Sequence, residues 1–130
     1  MMDDGQKKLV REKLDQARES LEEAKTLLVQ DAEINFVMNS LYYAFLYPVL
    51  GLLQARGMTP TMQSTAIALF EREFVTKGDI DNRFLQGIRK AFELRPACSC
   101  EGHPKAAPFD VEQLLPIAED FLESILRLIS

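Results

Sequence analysis

From Lys8 to Val29 the apolar residues Val10, Leu14, Ala17, Leu21, Ala24 and Leu28 recur in alternating steps of four and three, with Lys, Arg and Glu between them. On a backbone that turns once per 3.6 residues these positions form one narrow stripe, so the pattern predicts an amphipathic helix with a single buried seam. A seam that long can pack on its own domain or on a second copy of the chain. Asp31 then offers a short carboxylate that can accept from the free N–H groups of a new helix's first turn.

The next segment, Ile34 to Ala55, has no polar face. Only Asn35, Asn39, Ser40 and Gln54 interrupt a stretch otherwise made of Phe, Tyr, Leu, Ile, Val, Met and Ala with one Pro and one Gly. A helix apolar on every side must be central and surrounded by others. Pro48 lies inside it, where the ring removes one backbone hydrogen bond and crowds the carbonyl at position 44, so a kink or a break is expected there. Gly57 suits a left-handed helix end.

Thr59-Pro60 reads as a cap followed by a first helical residue, opening a third helix to about Phe74 that buries Met62, Ile67, Phe70 and Phe74 and stops near Lys77-Gly78. Asp79 or Asp81 caps a fourth, with Phe84, Leu85, Ile88, Ala91 and Phe92 on its inner face. Residues 95–108, RPACSCEGHPKAAP, show no periodicity and form a long crossover of the kind that carries function or mobility. Asp110 with Gln113 makes a capping box, and Phe109 with Leu114 a hydrophobic staple, at the start of a last helix burying Val111, Leu114, Leu115, Ala118, Phe121, Leu122 and Ile125. The fold class is all-α, an up-and-down bundle of four to five helices.

Composition narrows this further. A chain of 130 residues, 47% hydrophobic and 27% charged with 6 Gly and 6 Pro, fits a single domain over 1–130 with a sizeable core and excludes collagen-like, low-complexity and largely disordered chains. No apolar run reads as reaching the roughly 18 residues of a membrane span, and the N-terminus lacks a signal-peptide core, so the expectation is a soluble, cytoplasmic protein.

The net charge of -5 disfavours non-specific binding to phosphate backbones, but it is unevenly spread. Residues 1–33 sum to -3, 34–82 to -1, 83–105 to +3 and 106–130 to -4. The one net-positive stretch holds Arg83, Arg89, Lys90, Arg95 and Lys105. Cys98 and Cys100, one residue apart, are too close for an unstrained disulfide and are expected as reduced thiols.

The run Asn39-Ser40-Leu41-Tyr42-Tyr43-Ala44 resembles the N-x-x-Y-Y-A signature of HEPN domains, small all-α modules found alone or beside minimal nucleotidyltransferases. Further landmarks follow in family order: Leu52-Leu53 with Gly57, Phe70 and Phe74-Val75 with Gly78, Leu94-Arg95, and Ala118, Glu119 and Phe121 in the closing helix. The resemblance covers roughly residues 8–128. It implies a HEPN-type bundle that forms a homodimer. Many members face two copies of an Arg-x(4–6)-His motif across the dimer cleft and cut RNA without metal. Others lack the motif and serve as nucleotide- or RNA-binding partners of nucleotidyltransferases, often in toxin–antitoxin pairs.

Metal-free RNA cleavage needs a proton acceptor for the 2′-hydroxyl, a donor for the leaving oxygen and a cation for the phosphorane. His103, the only histidine, has an ordinary pKa suited to proton transfer, and Arg95 can hold a phosphate through paired hydrogen bonds. Seven residues separate them, one more than the family pattern, and Ser99 and Cys100 stand where a second form of the motif has Asp and Tyr. A catalytic Arg95–His103 pair is therefore the alternative to a module that binds a nucleotide, RNA or a partner without cutting, and a scaffold for another protein is the blandest reading. Asn39, Tyr42, Tyr43 and Arg89 are the ligand-contact candidates, although the tyrosines and Asn39 more simply satisfy neighbours inside the bundle. Cys98, Cys100 and His103 are a weak zinc set at tighter spacing than usual, with no clear fourth ligand; free thiols in a loop are the simpler account, and no cofactor is called for.

Overall fold

The computed structural model describes residues 3–96 and 105–129. They form α1 (Asp4–Val29), α2 (Ile34–Ala55), α3 (Gln63–Phe70) running on into a π turn (Glu71–Val75), α4 (Asn82–Leu94) and α5 (Pro108–Ile129). No strand occurs among the described residues, and the architecture is the all-α bundle in its five-helix form.

α2 is the central rod. It packs against every other helix, most extensively α1 and then α5, α4 and α3, as a helix without a polar face must. Contrary to the reading of the sequence, this 22-residue helix is long and apolar enough to cross a membrane, because its few polar residues are uncharged; 72% of its apolar stretch is buried among its neighbours. Pro48 does not break it. Losing one hydrogen bond to a proline ring costs about 3 kcal/mol in an isolated helix, and α2 is held instead by burial on all sides.

Three helix ends close by the same device. At each, one residue turns left-handed, its N–H bonding three residues back and the next N–H five residues back. Gly57 (φ 75°) ends α2 through bonds to Gln54 and Leu53, and Gly78 (φ 84°) ends the π turn through bonds to Val75 and Phe74. The third is Asp31 (φ 57°): its N–H bonds Leu28 and that of Ala32 bonds Leu27. Asp31 thus terminates α1 rather than starting α2, whose cap position is Glu33 and carries no side-chain cap bond. Aspartate is one of the few residues with a side chain that tolerates this conformation.

Other boundaries also move. α3 begins at Gln63, and Thr59-Pro60 stays in the connection, because residues after the Gly57 turn are spent reversing the chain. Met62, expected inside, occupies the cap position and is 63% exposed. Asp81, not Asp79, caps α4 by accepting from the Arg83 N–H. α5 starts earlier than its capping box suggested: Pro108 is its first residue, and Asp110 accepts from the Ala107 N–H at 2.8 Å from inside the first turn. Phe109 is therefore exposed, and the buried pair across this helix start is Ala106 and Val111.

The α1 seam is buried through Val10, Leu14, Ala17, Leu21 and Ala24, joined by Ser20, but Leu28 is 40% exposed. Leu28, Val29 and Phe36 all lie bare at the tip of the α1–α2 hairpin, beyond cover from the rest of the bundle.

Candidate functional site at the end of α4

α4 stops where Pro96 forces the preceding residue out of helical geometry, and Arg95 accordingly adopts extended angles (φ -63°, ψ 148°). Its backbone N–H still reaches Ala91, so the last turn stays closed while the side chain swings back over the bundle. The guanidinium lies 3.7 Å from the Phe92 ring centroid and 5.5 Å from that of Tyr42, and it donates to the Phe92 carbonyl. A planar, weakly hydrated cation is well suited to such a two-ring platform. Phe92 and Tyr42 meet edge to face at 5.9 Å, in a favoured arrangement of two ring quadrupoles.

Tyr42 is fully buried, and its hydroxyl donates to Gln63 Oε1 at 2.7 Å, fastening α2 to the start of α3. Burial pushes its pKa up to about 12 from an ordinary 10.0, the Arg95 charge acting in the opposite direction and Tyr43 reinforcing burial. A phenol whose folded-state pKa is raised contributes stability that is whole below its unfolded pKa and drains away as pH climbs through the folded one. Wild-type protein should therefore lose stability between about pH 10 and pH 12. Tyr42→Phe should lose less there, and its alkaline ultraviolet titration should lack the latest-ionising phenol. An unchanged titration in the variant would contradict the burial.

The other candidates separate. Asn39 is exposed one turn before buried Tyr42, so the two do not present a common open face. Tyr43 is half-buried, with its ring 5.2 Å from Tyr42 and 5.5 Å from Tyr47. The Tyr47 pKa is also raised, by burial first and then by Tyr43 and Glu19, and the Lys13 ammonium sits 5.7 Å above its ring. Arg89 points elsewhere: its guanidinium is paired with Glu71 of the π turn at 2.7 Å. Nearby, Lys77 and Arg72 both donate to Glu73 and hold its carboxyl below the ordinary range. His103, Cys98 and Cys100 lie outside the described residues.

Two members of the cluster were not among the sequence candidates. Phe92 reads as core, and its ring lies 3.7 Å from the Arg95 guanidinium. Gln63 sits at a helix start that the Thr59-Pro60 signal misplaces, and only the tertiary contact reveals it as the phenol's acceptor.

An all-α bundle around an unbroken apolar rod, with an arginine displayed at the exit of α4, agrees with the family comparison. The HEPN domain model matches residues 10–129, and the chain belongs to the HEPN domain family. It is 33% identical to a "UPF0332 protein" of Thermotoga maritima over 113 residues, covering 87% of this chain and 85% of that one. It is also 25% identical, over 111 residues, to a protein of Methanocaldococcus jannaschii named "Putative toxin MJ0142", covering 85% of this chain and 76% of the relative. No solved structure matches the chain.

Proposed function

We propose that this HEPN-family protein is a dimeric module that binds a nucleotide, RNA or a protein partner, the partner being a minimal nucleotidyltransferase in a toxin–antitoxin-like pair. The observation that carries the reading is the Arg95 guanidinium, held on the Phe92 and Tyr42 rings at the end of α4. A cation whose orientation is already restrained loses less freedom on meeting a phosphate. Lys90 and Lys105, both exposed, add charge of the same sign along the chain's net-positive stretch. For the second copy, α2 offers a stripe without a single charged side chain, where Phe36, Tyr43, Tyr47 and Leu50 are exposed or half-buried. Two such stripes can meet largely through apolar and aromatic side chains, with Lys13 over Tyr47 at their border.

A second reading is a metal-independent endoribonuclease using Arg95 and His103 across the dimer cleft. It is favoured by the same restrained arginine and by the toxin name of one relative. One experiment separates the two. Purified protein, Arg95→Ala and His103→Ala are incubated with mixed RNA in EDTA, and both retention and cleavage are followed. The binding module predicts retention without cutting, weakened at least about tenfold in Arg95→Ala, which corresponds to roughly 1.4 kcal/mol, and little changed in His103→Ala. Cleavage abolished in both variants establishes the nuclease. Equal retention by all three proteins, or identical slow cleavage by all three, overturns both.

A further inference from the structure

Side chains from three helices form a relay that ends at the Arg95 charge. The Gln63 amide accepts from the Tyr42 phenol at 2.7 Å, the Tyr42 ring centroid lies 5.5 Å from the guanidinium, and that of Phe92 lies 3.7 Å from it. Phe92 and its carbonyl, which accepts from Arg95, belong to the same helix end as the arginine and move with it. Tyr42 stands on α2, so its ring refers the guanidinium to the central rod. A cation is held by a ring face out to about 6 Å from the centroid. The Phe92 contact is well inside that limit. The Tyr42 contact is near its edge, and a ring displacement of about half an ångström ends it.

The far end of that ring is its hydroxyl, and a buried phenol turns toward whatever partner satisfies it. Here the partner is the half-buried first residue of α3. Met62, in the cap position before it, makes no side-chain cap bond, so the phenol ties this helix start to α2. Burial raises the phenol pKa to about 12, which keeps it a donor at neutral pH and fixes the amide oxygen as the acceptor. Any acceptor would satisfy the hydroxyl; one anchored on a third helix also sets the tilt of the ring that carries the cation. We infer that Gln63 is a positioning residue for Arg95: by accepting from the Tyr42 phenol it holds that ring against the guanidinium and keeps the cation oriented for a phosphate of single-stranded RNA. This rests on the binding reading of Arg95 and extends it to a residue that acts through two others.

The test uses the full chain and begins without RNA. Ring currents from two aromatic faces should place the wild-type Arg95 Nε–Hε resonance upfield of its position in the unfolded chain. Gln63→Met keeps the side chain's length without its oxygen, and Tyr42→Phe keeps the ring without its hydroxyl; in both the resonance should move downfield by similar amounts. Retention of a labelled oligouridylate should then weaken about two- to fivefold in each, as loss of one exposed cation–ring contact does. The double variant should be no weaker than either, because the two residues act as one link. Retention should keep its wild-type salt slope in Gln63→Met, since the phosphate contact still forms, whereas Arg95→Ala should lower that slope by about one. With Arg95→Ala already present, Gln63→Met should weaken nothing further. A merely structural Gln63 would lower the unfolding midpoint and leave resonance and retention where they are. An unmoved resonance in Gln63→Met, losses that multiply in the double variant, or further weakening on top of Arg95→Ala would each overturn the inference. Equal retention by wild type and Arg95→Ala would overturn the binding reading and this inference with it, and the RNA-free resonance tells that failure from the others.

Discussion

Replacing Phe121 with alanine should destabilise the bundle by about 3–5 kcal/mol, the usual range for emptying a buried phenyl site. The ring sits where α5 meets three other parts of the chain. Its centroid lies 5.2 Å from Phe84 of α4, 5.5 Å from Phe70 of α3 and 6.2 Å from Phe45 of α2. All three partners are themselves buried, so none can move in to fill the void without opening another. Chemical denaturation should show a lower midpoint with little change in slope. A cost below about 1 kcal/mol, less than the burial of one methylene or two provides, would contradict this account of the core.

The second large effect comes from a glycine. A Cβ added at Gly87 would stand 3.0 Å from Ile117 Cγ2 and 3.1 Å from two carbons of the Phe45 ring. Phe45 is pinned by its stack on Phe121 and has no room to retreat. Gly87→Ala should therefore lower stability by about 1–2 kcal/mol net, an overpacking cost of roughly 1–3 kcal/mol partly offset by alanine's helix propensity of roughly 1 kcal/mol. Gly51→Ala is the control. There the new methyl would meet the Lys13 Cβ at 3.4 Å and a Leu14 methyl at 3.5 Å, distances close to ordinary contact. Its stability should be unchanged or raised by a few tenths of a kcal/mol, since the propensity gain is then largely unopposed. If both glycines responded alike, helix propensity rather than the α2–α4–α5 approach would govern these sites.

The two glycines also explain how the elements fit. Gly51 lets α1 lie close along α2, and Gly87 lets α4 settle between Phe45 of α2 and Ile117 of α5. The absence of a side chain at Gly87 lets α4 approach α2 this closely. The Arg95 platform then draws on three elements: Phe92 from α4, Tyr42 from α2, and Gln63 from the start of α3 holding the phenol in place.

Helix number, order and most inner faces were legible in the residues themselves, because hydrophobic period depends only on the turn of the backbone. The stretch from Ile34 to Ala55 announced a central helix by having no polar side, Gly57 announced a left-handed end, Lys77-Gly78 a helix stop, and the Asn39-to-Ala44 run pointed to the family. Tertiary packing decided the rest. Short polar residues serve helix starts and helix ends equally well, so only the folded chain assigned Asp31 to the close of α1 and moved the start of α3 past Thr59-Pro60. Local rules penalise Pro48, and burial on every side overrode them. Leu28 and Met62 carry the same apolar signal as their buried neighbours; exposure depends on whether another helix reaches that far, which no local pattern encodes. The partnership of Arg95, Phe92, Tyr42 and Gln63 spans more than fifty positions of chain, and such a contact exists only after three helices have been brought together around the fourth turn of α4.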